Sequence, residues 1–564
     1  MADGGVPGDR TLLAHVLARP DIAPIAVGRS FAVLPDLPLS FRCRGQAIEL
    51  GVMAVAAPLA IIVRHALELG LALDLFDDPA LAGLIAARTA ALFARLESDG
   101  AASMLPSWHS CFAADEVPHP AVLDALWPLL GRHQEPPAPL KPDTAARLAA
   151  LWCFGGPAEH VMGLGGDTRL KLDPATGLNV YGCSPRPRPW AVTFASSTAS
   201  SVSERGYDGA EEARRRLLAD AARLGATEAQ KRASARVKAG ILRHYGLGQG
   251  VAAILTPSGT DGELSALAVS LLGGGAPLTN ILIAPEETGS GVPLAATGRH
   301  FATLTARGLP VAKGEPIAGF PAGIALEAVP IRGRDGGLRP DAEIAADCWT
   351  RMKRALDAGR RVLLHVLDVS KTGFRAPGDF SFATHPDVDI VVDACQARLS
   401  AVAVRAYLAM GAMVLITGSK FFTGPPFAGA LLLPPTLAAR FAATAALPSG
   451  LEDYFGGFDW PEGTASAALP REANFGLACR WAAALAEMEA FAAVSDAERR
   501  AILGEFGARI SAGIGANPDL VPHETPIAAA PGGGWHGLPT IFTFSMLSPK
   551  HPRAPLSPDA ARLV

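Results

Sequence analysis

Six short apolar runs between residues 251 and 433 constrain the fold of this 564-residue chain more than any other feature. They are rich in Val, Ile and Leu, which is typical of buried strands. Stretches with helical periodicity separate many of them, such as Glu263–Leu272 and Asp341–Leu356. This alternation predicts an α/β fold with a mainly parallel sheet covered by helices on both faces. The runs are Val251–Thr256, Asn280–Ala284, Val362–Val369, Asp389–Asp393, Met413–Thr417 and Gly429–Leu433.

The chain before the sheet region reads as a mostly helical N-terminal extension over residues 1–155. Apolar residues recur there at three- and four-residue spacing from Met53 to Leu75 and from Pro79 to Leu96. The sheet region and an entry segment, 156–195, would form a large domain over 156–440.

The remaining residues, 441–564, combine a helical stretch at Asn474–Ala493 with a late strand at Thr540–Met546. This pattern predicts a small α+β C-terminal domain. We expect that domain to be truncated, because a helix that starts at Ser557 has barely one or two turns before Val564.

Composition excludes several classes of protein. Hydrophobic residues make up 49% of the chain and charged ones 18%, which argues against global disorder. A net charge of −4 without a basic stripe predicts no nucleic-acid or membrane partner. Seven cysteines without CxxC spacing and a start without a signal peptide favour a cytoplasmic location. We expect no metal, because His109, Cys111 and His119 match no zinc spacing.

A turn after the first apolar run has the residues of an anion site. It reads Thr256-Pro-Ser-Gly-Thr-Asp-Gly-Glu263 and opens a helix. Free backbone N–H groups and the helix dipole favour a phosphate there, beside Ser258, Gly259 and Thr260. The alternative needs no ligand, because Thr260 to Glu263 also matches a capping box.

Two polar residues follow the run that ends at Asp393. A carboxylate at the end of a buried strand is costly unless it is paired or hydrogen-bonded. A protonated pyridine nitrogen would satisfy Asp393, and Gln396 would reach a hydroxyl on the same ring. The alternative is that Asp393 caps the next helix.

Lys420 lies between two apolar runs, in Thr417-Gly-Ser-Lys-Phe-Phe-Thr-Gly-Pro-Pro-Phe-Ala-Gly429. Burial beside apolar or positive groups lowers the pKa of an amine and makes it a nucleophile toward carbonyls. Lys420 would form an imine with an aldehyde, while Thr417 and Ser419 would bond a phosphate. A surface lysine is the alternative, and Lys371 is a rival for the imine.

Together these elements resemble pyridoxal-phosphate (PLP) enzymes of fold type I, and most closely the class V aminotransferase and cysteine desulfurase group. The resemblance covers about residues 190–500. It rests on Thr417–Gly429, on Asp393-Ala-Cys-Gln396 and on Ser258-Gly-Thr260. It implies a seven-stranded sheet, pyridoxal 5'-phosphate as the cofactor, and Lys420 rather than Lys371 as its covalent anchor.

The resemblance also implies neighbours for the cofactor. Ser370 stands where the group often has Ser or Asn near the cofactor. Thr288 falls where the group usually stacks a histidine or another ring, which argues against desulfuration. A homodimer with its sites near the interface is implied, and Thr423 would approach the phosphate of the other subunit. The group's carboxylate-binding arginine would follow Val564, which leaves Arg205 as a weaker candidate.

The sequence therefore predicts a PLP-dependent enzyme that acts on an amino acid or amine, with transamination as the first interpretation. A PLP-dependent lyase that eliminates or cleaves C–S or C–C bonds is the nearest alternative. A non-catalytic protein that keeps the fold is the alternative from another class. The N-terminal extension would either dock a partner or pack on the enzyme.

Overall fold

The computed structural model describes residues 7–51, 54, 58–97, 109–117, 126–130, 142–152, 154–191, 200–274, 277–334, 336–472, 474–523, 534–548 and 554–561. The strands of these residues are β1 (Ser30–Val33), β2 (Phe41–Arg44), β3 (Ala47–Leu50), β4 (Ala252–Thr256), β5 (Leu278–Ile283), β6 (Ala325–Val329), β7 (Arg361–Leu367), β8 (Val388–Ala394), β9 (Met413–Thr417), β10 (Gly429–Leu433), β11 (Leu520–Pro522) and β12 (Phe544–Met546). Their helices of eight or more residues are α1 (Pro7–Leu17), α2 (Leu59–Leu75), α3 (Pro79–Glu97), α4 (Pro142–Trp152), α5 (Glu204–Leu224), α6 (Ala226–His244), α7 (Gly259–Leu271), α8 (Asp341–Asp357), α9 (Ala401–Ala409), α10 (Pro435–Ala442), α11 (Phe475–Ala493) and α12 (Asp496–Ala516).

Strands β4 to β10 form one sheet in the order β4-β10-β9-β8-β7-β5-β6. The five strands from β9 to β6 run parallel, and β10 runs antiparallel to both β9 and β4. The predicted α/β class with a mainly parallel seven-stranded sheet is therefore confirmed. The six apolar runs are all strands, and their ends differ from the prediction by at most two residues.

The start of β10 lies between the turn that follows β4 and the turn that follows β9. Gly429 pairs with Thr417 of β9 on one side and with Thr256 of β4 on the other. A Cβ atom at Gly429 would lie 2.4 Å from the hydroxyl oxygen of Thr256, so only glycine allows this approach. The turn after β4 and the turn after β9 consequently lie side by side.

The N-terminal region contains a three-stranded sheet, β1-β3-β2, that the helical periodicity did not predict. Its helices share a hydrophobic core with α5 and α11. Buried charges join the same elements, since Arg214 of α5 donates to Glu68 of α2 at 2.9 Å and to Glu211 at 2.5 Å. The described part of residues 1–155 is thus packed on the rest of the chain. The boundaries of the three predicted domains stay predictions.

One helix of the described chain, α3, is long and apolar enough to cross a membrane by length and composition. Within its most apolar window 83% of the residues are buried in the protein, as is common for a core helix.

Candidate active site

A cleft of about 500 Å³ opens at the carboxyl ends of the parallel strands. Ligand sites in open α/β sheets lie at this edge, and the volume is in the range of small-molecule sites. Every residue that the sequence assigned to a cofactor lines the cleft: Ser258, Gly259, Thr260, Thr288, Ser370, Asp393, Gln396, Thr417, Ser419 and Lys420.

The turn after β4 presents free donors to the cleft. Ser258 caps α7 in a capping box with Asp261, which replaces the box predicted between Thr260 and Glu263. The backbone N–H groups of Gly259 and Thr260 have no acceptor among the described residues. Gly259 also permits close packing, because a Cβ atom there would lie 2.7 Å from the Sγ atom of Cys395.

Asp393 and Gln396 both line the cleft with polar side chains. One carboxylate oxygen of Asp393 accepts from the backbone N–H of Cys395 at 3.0 Å. The predicted alternative, a cap on the next helix, is wrong, because Ser400 caps α9. Gln396 is 3% exposed, and its Oε1 atom has no hydrogen-bond partner among the described residues. Buried acceptors usually have a partner, so this atom makes Gln396 a candidate ligand contact.

Lys420 is half-buried at the end of the turn that follows β9. Within the described chain its ammonium group forms no hydrogen bond or ion pair. Lys371 lines the same cleft, and partial burial together with the charge of Lys420 lowers its pKa. The two lysines are therefore neighbours, and both amines face the ligand space.

Several predicted phosphate or cofactor hydroxyls already have protein acceptors. Thr417 donates to the carbonyl of Cys395 at 2.7 Å, Ser370 to Glu287 at 2.9 Å, and Thr288 to the carbonyl of Pro285 at 3.0 Å. The hydroxyls of Thr260 and Ser419 have no such partner among the residues that the structure describes. The uncharged donors left for an anion are these two hydroxyls and the backbone N–H groups at the start of α7.

Two carboxylates that sequence reasoning did not assign also line the cleft. Glu287 accepts from Ser370 and Thr372 and pairs with Arg332 at 3.2 Å. Glu263 is 1% exposed and lies 2.8 Å from the Nδ1 atom of His365 on β7. Burial raises the pKa of Glu263. A strand histidine opposite a helix glutamate was the available sequence signal, since both types are costly to bury alone.

Left-handed backbone surrounds the cleft at non-glycine residues. Val369 (φ 63°) and Phe427 (φ 73°) line it, Ala397 (φ 54°) follows Gln396, and Thr423 (φ 51°) follows Lys420. Each such residue costs on the order of 1 kcal/mol or more and persists where surrounding contacts impose it. Clustering of this kind is typical of functional sites.

Arg205 does not line the cleft. It is exposed on α5 and pairs with Glu487 at 3.1 Å. The arginine that does line the cleft is Arg169, in the entry segment. Of the histidine and cysteine group considered for a metal, His119 lies outside the described residues, and Cys111 is an exposed free thiol.

Comparison with protein-family models and with curated proteins gives no match. Among solved structures, the chain is similar to the cystine C-S lyase C-DES at 15% identity, over 63% of this chain and 84% of that one, with a TM-score of 0.40. It is similar to the Escherichia coli cysteine desulfurase CsdA at 12% identity, over 58% and 74%, with a TM-score of 0.37. A cysteine desulfurase from Thermococcus onnurineus NA1 gives 16% identity, over 63% and 78%, with a TM-score of 0.36.

One structure of C-DES carries glycine linked covalently to its PLP cofactor. These likenesses are distant.

Proposed function

We propose that this chain is a PLP-dependent enzyme that acts on an amino acid or amine, with Lys420 as the covalent anchor of the cofactor. One observation carries the proposal: the unpaired amine of Lys420 shares a cleft with the carboxylate of Asp393 and the side chain of Gln396. Asp393 would hold a protonated ring nitrogen, and Gln396 would accept from the ring hydroxyl. The start of α7, Thr260 and Ser419 would hold the phosphate.

When bound, pyridoxal phosphate supplies an aldehyde that captures amines and a ring that withdraws electrons from the neighbouring carbon. Lys420, when its amine is free, is the base placed to move a proton from that carbon. Asp393 would favour a protonated ring nitrogen through its negative charge. Thr288, at the position where the resembled group stacks a ring, lines the cleft with a threonine instead.

We propose transamination as the reaction. The test adds single amino acids and amines to the cofactor-loaded protein and follows the cofactor spectrum near 420 nm, where the lysine-bound cofactor is expected to absorb. We expect loss of this absorbance and its return when a keto acid is added. Release of a keto acid while the absorbance is retained would replace transamination with a lyase reaction. A protein that stays colourless after reconstitution would contradict the whole proposal.

The matched controls are Lys420→Ala and Lys371→Ala. We expect the first to abolish the lysine-bound absorbance and the second to retain it, because only Lys420 lies in the turn that resembles the cofactor anchor. A cytoplasmic homodimer stays a prediction. The exposed Thr423, three residues after Lys420, is the position at which a partner's phosphate would be met.

A further inference from the structure

Arg169 is a cleft cation that no sequence motif indicated. It lies in the short turn Thr168–Leu170, which Asp167 caps by accepting from the backbone N–H of Arg169 at 3.0 Å. The side chain of Asp167 is 3% exposed and that of Arg169 is 32% exposed. The turn therefore places one arginine at the cleft wall from a segment far upstream of the sheet.

The neighbours of Arg169 fix the plane of its guanidinium group. Its Nε atom donates to Asp167 at 2.9 Å and its Nη2 atom at 2.6 Å. Its Cζ atom lies 4.8 Å from the centre of the Phe427 ring. Burial alone lowers the pKa of Arg169, but the hydrogen bonds and charge of Asp167 outweigh it and raise that pKa. The side chain is thus a permanent and pre-oriented cation.

Donors of this guanidinium remain available. Nη2 reaches the hydroxyl of Ser258 at 3.4 Å, and Nη1 forms no hydrogen bond to any described residue. The free N–H groups of Gly259 and Thr260 belong to the same end of the cleft. Thr260 is 6% exposed, and its hydroxyl has no described partner either. An arginine edge, a helix start and a buried hydroxyl together suit a group with several oxygen atoms.

Arg169 also offsets the negative charge of nearby carboxylates. Asp167 and Asp261 are both buried carboxylates here, and Arg169 is the cation whose charge opposes them. Without it an anion would meet two carboxylates. With it the Asp167–Arg169 pair is neutral, and the remaining carboxylate, Asp261, accepts the hydrogen bonds of Ser258.

We propose that Arg169 binds an oxyanion at the Ser258 end of the cleft. The identity of the ligand rests on the proposed function: the oxyanion is either the phosphate of the cofactor or the carboxylate of the substrate. Either source would be recognised by the same two chemical features, a fixed guanidinium edge and the N–H groups that start α7.

The experiment compares Arg169→Gln with wild type and with Arg19→Gln. Arg19 is a matched control, because it also pairs with an aspartate two residues away (Asp21, 2.7 Å) and lies over a ring (Phe93, 5.9 Å) but does not line the cleft. Inorganic phosphate is first titrated against the cofactor-free proteins, and the melting temperature is read. Dissociation constants for pyridoxal phosphate, pyridoxal, alanine and ethylamine are then measured.

If the cofactor phosphate is the oxyanion, Arg169→Gln should raise the dissociation constant of pyridoxal phosphate by about 10- to 100-fold. The dissociation constant of pyridoxal, which lacks the phosphate, should not change. Phosphate should then raise the melting temperature of wild type and Arg19→Gln, but not of Arg169→Gln. If the substrate carboxylate is the oxyanion, Arg169→Gln should raise the dissociation constant of alanine by a similar factor. The dissociation constant of ethylamine, which has no carboxylate, should not change.

The proposal would be overturned if phosphate shifted the melting temperature of wild type and of Arg169→Gln equally and if the two proteins had equal dissociation constants for all four ligands. Failure of the proposed function shows separately, as a wild-type protein that retains no cofactor on Lys420. The phosphate titration still decides the role of Arg169 in that case.

Discussion

Replacement of Asp261 by asparagine should remove a pH-dependent cost of folding. The carboxyl group is 2% exposed and accepts from the backbone N–H of Ser258 at 2.9 Å and from its hydroxyl at 2.5 Å. Burial is the largest influence and raises the pKa of Asp261 from 3.8 to about 6, against the opposing effect of the Ser258 hydrogen bonds. Asparagine keeps an acceptor oxygen for Ser258 but does not ionise.

The sign follows from proton binding. Because the folded-state pKa is raised, the folded chain binds more protons than the unfolded chain between pH 3.8 and about 6. The stability that this group contributes is present below pH 3.8 and is lost as the pH rises through 6. At about 1.4 kcal/mol for each unit of pKa, the loss reaches roughly 3 kcal/mol at pH 7.

The assay is the melting temperature of Asp261→Asn and of wild type from pH 3.5 to pH 8. We expect the melting temperature of Asp261→Asn to rise relative to that of wild type as the pH rises, mainly between pH 4 and pH 6.5. At neutral pH the variant should melt several degrees higher than wild type. The matched control is Glu498→Gln in the exposed capping box that Ser495 starts. Hydrogen bonds from Ser495 lower the pKa of Glu498, so the melting temperature of this control should fall relative to that of wild type as the pH rises.

A difference between Asp261→Asn and wild type that stays flat or falls with pH would refute the reasoning. It would mean that the carboxyl group behind the start of α7 is hydrated in solution, and that burial does not control its protonation.

Other substitutions test the packing. Leu431→Ala on β10, where the side chain is fully buried, should lower the free energy of unfolding by about 2–5 kcal/mol in denaturant titration, and a loss below 1 kcal/mol would contradict the sheet order. Tyr207→Phe removes a 2.6 Å hydrogen bond to buried Glu159 and should cost about 1–3 kcal/mol in the same assay; no loss would deny that contact. Thr423→Gly should raise the melting temperature slightly, since glycine accepts φ 51° without the roughly 1 kcal/mol strain; a drop would show that the threonine side chain is needed.

The sequence predicted the central sheet well, because five of its strands are buried on both faces and read as continuous apolar runs. It missed β6, an edge strand, because Ala325-Leu-Glu-Ala-Val329 alternates between half-buried and exposed residues and resembles neither pattern strongly. It also missed the β1-β3-β2 sheet, whose four-residue strands are too short for a period to emerge.

At the site, the residues next to strand ends were predictable because parallel strands bring their carboxyl ends to one edge. Arg169 was not predictable, since an arginine two residues after an aspartate is usually an exposed ion pair on the protein surface. Its approach to Ser258 depends on how the entry segment folds back, which local patterns do not encode. Spacing alone also could not choose between Ser258 and Thr260 as the cap, because each has an acidic residue three positions later; the structure uses Ser258 with Asp261.

The central claim is that Lys420 carries the cofactor, and borohydride reduction followed by peptide mapping tests it most directly. The protein is loaded with pyridoxal phosphate, reduced and digested, and the modified residue is identified by mass spectrometry, with Lys371→Ala and Lys420→Ala treated in parallel. We predict one stable modification, on Lys420, that persists in Lys371→Ala and is absent in Lys420→Ala. Modification of Lys371 in wild type, or no modification at either lysine, would contradict the account.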